Sequence, residues 1–240
     1  MSPRYDQEWI NSMLDVETRL GTTSPESLLR NTGLGSGQTV VDIGCGPGLF
    51  AIPAALVVGP QGGVYAVDTE QTMLDMVDEK SAEESLSHVV TVLSDGSIIP
   101  LPDSVAHYAI CGLMLHDCPD FDARVAMARD IRRTVQPGGH ILVIEWTPQS
   151  GDDCSRRLTP EETGDILSAA RLEFDGPHPF GGAAIYDDRD SPLCLGLGDR
   201  IAQRISTVAA QDSADRQLLP WGIPGTSAGH SVDRFRRYAN

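Results

Sequence analysis

The chain predicts an α/β fold on a doubly wound, mostly parallel sheet, and three observations carry that expectation. First, a run of β-branched and apolar residues, Thr39 to Ile43, breaks into three closely spaced glycines, Gly44, Gly46 and Gly48, and apolar helix formers follow from Leu49 to Leu56. That order reads as strand, tight turn, helix. Second, short apolar runs (Val64 to Val67, His88 to Leu93, Val105 to Cys111, Ile141 to Ile144) alternate with segments of helical spacing, as in βαβ units. Third, 240 residues suffice for one such domain with a sizeable core plus extensions.

Taken in order, Tyr5 to Leu20 places Trp9, Ile10, Met13, Leu14, Val16 and Leu20 at roughly helical spacing and reads as one amphipathic helix. A second helix starts at Ser24-Pro25-Glu26, with Ser24 as N-cap and Pro25 at N1, and runs to Asn31. Residues 1–35 thus form a helical cap ahead of the glycine turn. Pro47 has the fixed φ suited to a first helical turn, and Phe50 to Val58 is the first crossover helix. Thr69 caps a helix carrying Met73, Leu74, Met76 and Val77. Leu101 to Ser104 is a turn before the strand that ends at Cys111. Asp120 to Val135 is a helix with Val125, Ala128, Ile131 and Val135 inward and its arginines solvated. Pro137-Gly138-Gly139 is the turn before the next strand. Thr159-Pro160-Glu161-Glu162 opens a helix leading to Ile166, Leu167 and Ala170.

Beyond Phe174 the pattern breaks, and the final antiparallel pair is hard to see in the Gly- and Pro-rich run that follows. Residues 186–240 hold seven Asp and seven Arg, so the whole net charge of −16 belongs to residues 1–185. The shift marks a boundary between a domain at 36–185 and a loosely ordered C-terminal extension at 186–240, within which only Arg200 to Ala209 has helical character. A dimerisation arm is the alternative, and a monomer or a homodimer is expected.

With 18 basic against 34 acidic side chains, and Lys80 the only lysine, the surface repels nucleic acid and anionic membranes. Five cysteines, Cys45, Cys111, Cys118, Cys154 and Cys194, form no C-x-x-C pair, and no secretory segment precedes them, so a reduced cytoplasm is expected. No apolar stretch approaches the ~18 residues of a membrane span. No metal-binding cluster is evident.

The glycine turn is a binding loop. A dinucleotide fingerprint would read G-x-G-x-x-G, but here the third glycine's place is taken by Leu49. Asp42, inside the strand end, would repel phosphates and attract a cation. S-adenosylmethionine matches, because it carries an ammonium and a sulfonium and no phosphate. Asp68, ending the second strand, is placed to accept from a ribose hydroxyl of either cofactor.

DIGCGPG, the YAVD strand end, SDGSIIPLPDS and VQPGGHILVIEW, in this order and spacing, resemble the class I S-adenosylmethionine-dependent methyltransferases, within them the branch related to ubiquinone/menaquinone-biosynthesis methyltransferases. The resemblance covers roughly residues 24–175. It implies a Rossmann-like, seven-stranded sheet and a cofactor site drawn from Asp42, Gly44, Cys45, Gly46, Pro47, Gly48, Asp68, Thr69, Met73, Ser94, Asp95, Gly96, Cys111 and Leu113. It puts Asp42 and the loop at the methionine part, Asp68 at the ribose, Asp95 at the adenine amino group, and Leu113, Met114 and His116 before a small-molecule acceptor. His116 is then the best-placed imidazole for contacting substrate or acting as a base, the other reading being a histidine that caps the loop. The usual lysine before Pro-Gly-Gly is Gln136 here. A nicotinamide-dependent oxidoreductase, a non-catalytic cofactor-binding or assembly protein, and arsenite or thiol chemistry are the alternatives.

Overall fold

The computed structural model describes residues 6–21, 23–146, 157–180 and 183–188. Five parallel strands, β1 (Thr39–Ile43), β2 (Gly63–Asp68), β3 (Val89–Leu93), β4 (Ala106–Gly112) and β5 (Val135–Trp146), stand in the order β3-β2-β1-β4-β5. The sheet continues antiparallel from β5 into β7 (Ala183–Asp188) and then β6 (Phe174–Phe180). The helices are α1 (Gln7–Met13), α2 (Val16–Leu20), α3 (Pro25–Asn31), α4 (Ala51–Val58), α5 (Gln71–Glu83), α6 (Phe121–Thr134) and α7 (Pro160–Ala169).

Alternation along the strands sorts the core into two layers. Val40, Val64, Ala66, Tyr108, Ile110, Leu142 and Ile144 face α3, α4 and α5, where they meet Leu28, Leu29, Ala54, Ala55, Leu74 and Val77. Val41, Ile43, Tyr65, Val67, Ala109, Ile141 and Val143 face α6 and α7, against Val125, Ala128, Ile131, Ile166 and Leu167. With both faces covered, the central strands are apolar runs without polar alternation. Their one buried carboxylate outside β5 is Asp42, on the α4 side by parity with Val40. Thr32, closing α3, hydrogen-bonds the buried Tyr108 hydroxyl and so ties the helical cap to β4.

Several local expectations are corrected. The first amphipathic helix is two: α1 ends at Met13 with Leu14 as C-cap, and α2 starts at Val16. Arg19 lies 5.2 Å from the centre of the Trp146 ring and holds α2 to the end of β5. The glycine turn runs on through Phe50, so Pro47 belongs to the turn and α4 begins at Ala51. Glu70, not Thr69, is the N-cap of α5. Arg133 of α6 is only partly solvated: it donates to Asp130, Asp103, Leu101 O and Ile99 O, and so pins the segment before β4. Pro137-Gly138-Gly139 lies within β5 as a bulge, because Ala106 pairs with Val135 and Tyr108 already with His140. The final antiparallel pair, hard to see in the Gly- and Pro-rich run, is β6 and β7. The helical stretch expected at 200–209 lies outside the described residues. Among the described residues no helix is long and apolar enough to cross a membrane.

Candidate active site

The strand order reverses between β1 and β4, and a cleft of about 350 Å³ opens at their carboxyl ends, where open α/β sheets bind ligands. Its floor is the glycine loop. Gly44 N and Cys45 N both donate to Val67 O, at 2.8 and 3.0 Å, and Gly46 N donates to Asp68 Oδ2 at 2.8 Å. Gly44 and Gly46 have φ of +67° and +50°. A Cβ on Gly44 would lie 2.5 Å from Met114 Cγ, and one on Gly46 would lie 2.8 Å from Met13 Cε. The turn therefore needs glycine twice over, for its dihedrals and for the side chains that close on it.

Asp42 sits beneath this loop, 1% exposed, and its Oδ2 has no hydrogen-bond partner. Burial first, and the charge of Asp68 second, push its carboxyl up to about 8, and the Ala51 N–H offsets part of this. Cys45 and Cys111 are buried, and burial raises both thiols well above their ordinary range. Asp42, Cys45, Pro47, Gly48 and Cys111 are buried and do not line the cleft, whereas Gly44 and Gly46 do.

On the β2 side Asp68, Thr69, Glu70, Met73, Ser94, Gly96 and Ile99 line the cleft. Asp68 is doubly engaged, its Oδ1 accepting from Glu70 N at 3.0 Å. Asp95 is exposed and off the wall. Its carboxylate accepts from Ser97 Oγ at 2.6 Å and Ser97 N at 2.9 Å, which holds the acid below the usual range.

The opposite wall comes from four separate elements: Trp9 and Met13 of α1, Leu113 and Met114 after β4, Asp117, Cys118 and Pro119 at a 3₁₀ turn (Leu115–Asp117), and Met127 of α6. Leu113 has φ +57°, rare for a leucine, and its N–H donates to Ile144 O at 2.7 Å. His116 is behind this wall, its ring turned to Glu145 with Nδ1 and Oε2 2.8 Å apart. Burial lowers the imidazole's pKa, but the hydrogen bond and charge of Glu145, with Asp117, outweigh it, and the net shift is upward. Among the expected site residues the structure brings Gly44, Gly46, Asp68, Thr69, Met73, Ser94, Gly96 and Leu113 to one surface. Trp9, Met13, Glu70, Ile99, Asp117, Cys118, Pro119 and Met127 were not foreseen there. Only the helical stripe of Trp9 and Met13 gave a signal, and it read equally well as packing.

Among the described residues three carboxylates, Asp68, Glu70 and Asp117, line the cleft and no basic side chain does. Among the described residues no three His, Cys, Asp or Glu cluster as a metal site.

Residues 40–139 match the methyltransferase domain family. Over 141 residues the chain is 29% identical to the demethylmenaquinone methyltransferase of Geobacillus sp. (strain WCH70), an alignment covering 59% of this chain and 57% of that protein. The chain thus spans somewhat more than half the length of that relative. A S-adenosylmethionine-dependent methyltransferase from Aquifex aeolicus superposes with a TM-score of 0.66 at 24% identity, over 77% of this chain and 97% of the other. The [4+2]-cyclase SpnF superposes with a TM-score of 0.54 at 23% identity, over 72% and 62% of the two chains. The shared fold and the match at residues 40–139 make this chain similar to the S-adenosylmethionine-dependent methyltransferases. Among curated proteins the similarity is to demethylmenaquinone methyltransferases.

Proposed function

We propose that the protein binds S-adenosylmethionine in this cleft and transfers its methyl group to a small-molecule acceptor by direct in-line displacement. The carrying observation is the electrostatic character of the wall: a main-chain cradle, three carboxylates and, among the described residues, no basic side chain, over a buried carboxyl group whose Oδ2 has no hydrogen-bond partner. Such a site suits a ligand with two positive centres and opposes a pyrophosphate, which disfavours a nicotinamide cofactor. S-adenosylmethionine supplies an activated methyl on a sulfonium, whose charge disperses as the methyl moves. What remains for the protein is alignment and exclusion of water.

In this reading Asp42 and the Gly44–Gly48 loop, with Cys45 and Pro47 shaping it, hold the methionine part. Asp68 takes the ribose, with Thr69 and Met73 beside it, and the Ser94-Asp95-Gly96 turn takes the adenine. Cys111 backs the wall on which Leu113 and Met114 face the acceptor. Residues 1–35 cap the cleft, a domain starting at residue 36 binds the cofactor, and the seven-stranded sheet is the class architecture. The thiols suit a reducing cytoplasm. Because the relative is a demethylmenaquinone methyltransferase, a hydroquinone is the first acceptor to try. SpnF shows that the same fold serves a named activity other than methyl transfer, so cofactor binding alone does not settle transfer.

The experiment is calorimetry with S-adenosylhomocysteine and with NAD, then S-adenosylhomocysteine release from S-adenosylmethionine over quinols, phenols, amines and arsenite. Binding of the nicotinamide cofactor alone would sink the reading. Binding of S-adenosylhomocysteine without release over the whole panel would favour a non-methylating use of the site.

A further inference from the structure

Behind the acceptor wall stands a charged pair that cofactor binding leaves unused. Glu145, at the end of β5, is 1% exposed, and both its oxygens serve residue 116. Oε1 accepts from the backbone N–H of His116 at 3.3 Å, and Oε2 lies 2.8 Å from Nδ1. A carboxylate can only accept, so the proton of the neutral imidazole resides on Nδ1. Nε2 is then the nitrogen left, and it lies 3.7 Å from Oδ2 of Asp117, the carboxylate on the acceptor side of the cleft.

An apolar pair of similar volume would serve stability as well as this buried charge does. The contact does more than fill space. It pins the 3₁₀ turn just after Met114, the side chain that closes on Gly44, and so sets the spacing between the acceptor wall and the glycine loop.

Resting on the methyltransferase reading, we propose that Glu145 is a positioning residue for the transfer site. It fixes the His116 tautomer so that the bare Nε2 stands on the Asp117 side, ready to receive the proton that Asp117 takes from an acceptor that loses one on methylation. As an electron pair of the acceptor, the ring π pair in a hydroquinone that gains a ring methyl, bonds the methyl carbon, the electron pair of the broken carbon–sulfur bond stays on sulfur and the acceptor's proton passes to Asp117. The positive charge of the sulfonium and the negative charge of the carboxylate disappear together. The groups facing His116 are Glu145 from β5, Asp117 from its own turn and Arg19 from α2, the last opposing the proton.

The test is a pH titration of imidazole nitrogen-15 shifts in the full chain saturated with S-adenosylhomocysteine, with His116 assigned from a His116→Asn spectrum. The neutral ring is expected to be protonated at Nδ1, and Glu145→Gln is expected to lower the midpoint and abolish the Nδ1 preference. Asp117→Asn, at a largely exposed side chain, should also lower the midpoint and leave S-adenosylhomocysteine affinity within about twofold. It should slow methyl transfer to a reduced demethylmenaquinone analogue about a hundredfold. A neutral ring protonated at Nε2, or a midpoint unmoved by Glu145→Gln, overturns the proposal. If Glu145→Gln does not fold, an unmoved midpoint in Asp117→Asn overturns it instead. A parent inactive on this quinol leaves the decision to the His116 spectrum. A parent that binds no S-adenosylhomocysteine overturns the methyltransferase reading itself, a result separate from a wrong tautomer in a protein that binds.

Discussion

On the β1/β2 side of the cleft the surface is largely main chain: glycine N–H groups held by Val67 O and the Asp68 carboxylate, over fully buried strands. On the other side it is side chain, from short or thinly buried elements. Only Ile10 of α1 is buried, and Trp9 is 43% exposed. The difference teaches where change is tolerated. A wall of backbone recognises its ligand through geometry that nearly every substitution disturbs, whereas a wall of side chains can be recut without touching the sheet.

The largest effect that would sharpen this contrast concerns Asp42. Its carboxyl titrates at about 8 in the fold against 3.8 unfolded. The folded state therefore holds the proton more tightly, and this contribution to stability is complete below pH 3.8 and lost as pH rises through 8. At ~1.4 kcal/mol per unit the loss is bounded at about 6 kcal/mol. Asp42→Asn should thus melt higher than the parent, with a gap that widens from pH 5 to pH 9 in the absence of cofactor. A constant gap would mean that Asp42 is not the buried acid of the floor.

Gly44→Ala comes next, because left-handed dihedrals cost a side chain about 1 to 2 kcal/mol and the added Cβ meets Met114. S-adenosylhomocysteine affinity should fall at least about tenfold, and Gly44→Ala/Met114→Ala should recover only part, since the dihedral strain remains. Full recovery would shift the weight of the comparison from backbone to side chain. Asp68→Ala should weaken the same ligand by about 1.5 to 3 kcal/mol, as for a lost bond to a charged group; unchanged affinity in calorimetry would remove Asp68 from the site. Smallest is Met13→Ala on the opposite wall, expected to change that affinity by less than about 1 kcal/mol while altering which acceptors are used. A loss as large as that of Asp68→Ala would erase the distinction between the two walls.

The same contrast explains what was legible in the sequence. Thr39 to Gly48 and Val64 to Asp68 are local signals, in which β-branched runs meet glycine at a required spacing, and each falls where it was expected. The acceptor wall has no such spacing. Trp9, Asp117, Pro119 and Met127 come together because β4 lies beside β1, and Glu145 reaches His116 across 29 positions of chain. The break at Leu14 carries no glycine or proline to mark it. The bulge at Pro137 to Gly139 read as a turn because pairing with β4 resumes on its far side. The strands at 174–188 include Gly and Pro that argue against a strand, and it is pairing along the open edge of β5 that makes them one.

Asp68 is at once the acid expected at the ribose and the clasp of the loop expected at the methionine end, through its bond to Gly46 N. The two ends of the cofactor are therefore not read independently. A nucleoside fragment that orders this carboxylate also orders the amide it holds, so adenosine should raise the affinity of the cleft for methionine, and the converse must hold by the same factor. On the proposed roles fragment cooperativity would reside in one side chain, and lengthening it, as in Asp68→Glu, would uncouple the halves even where each alone could still be held.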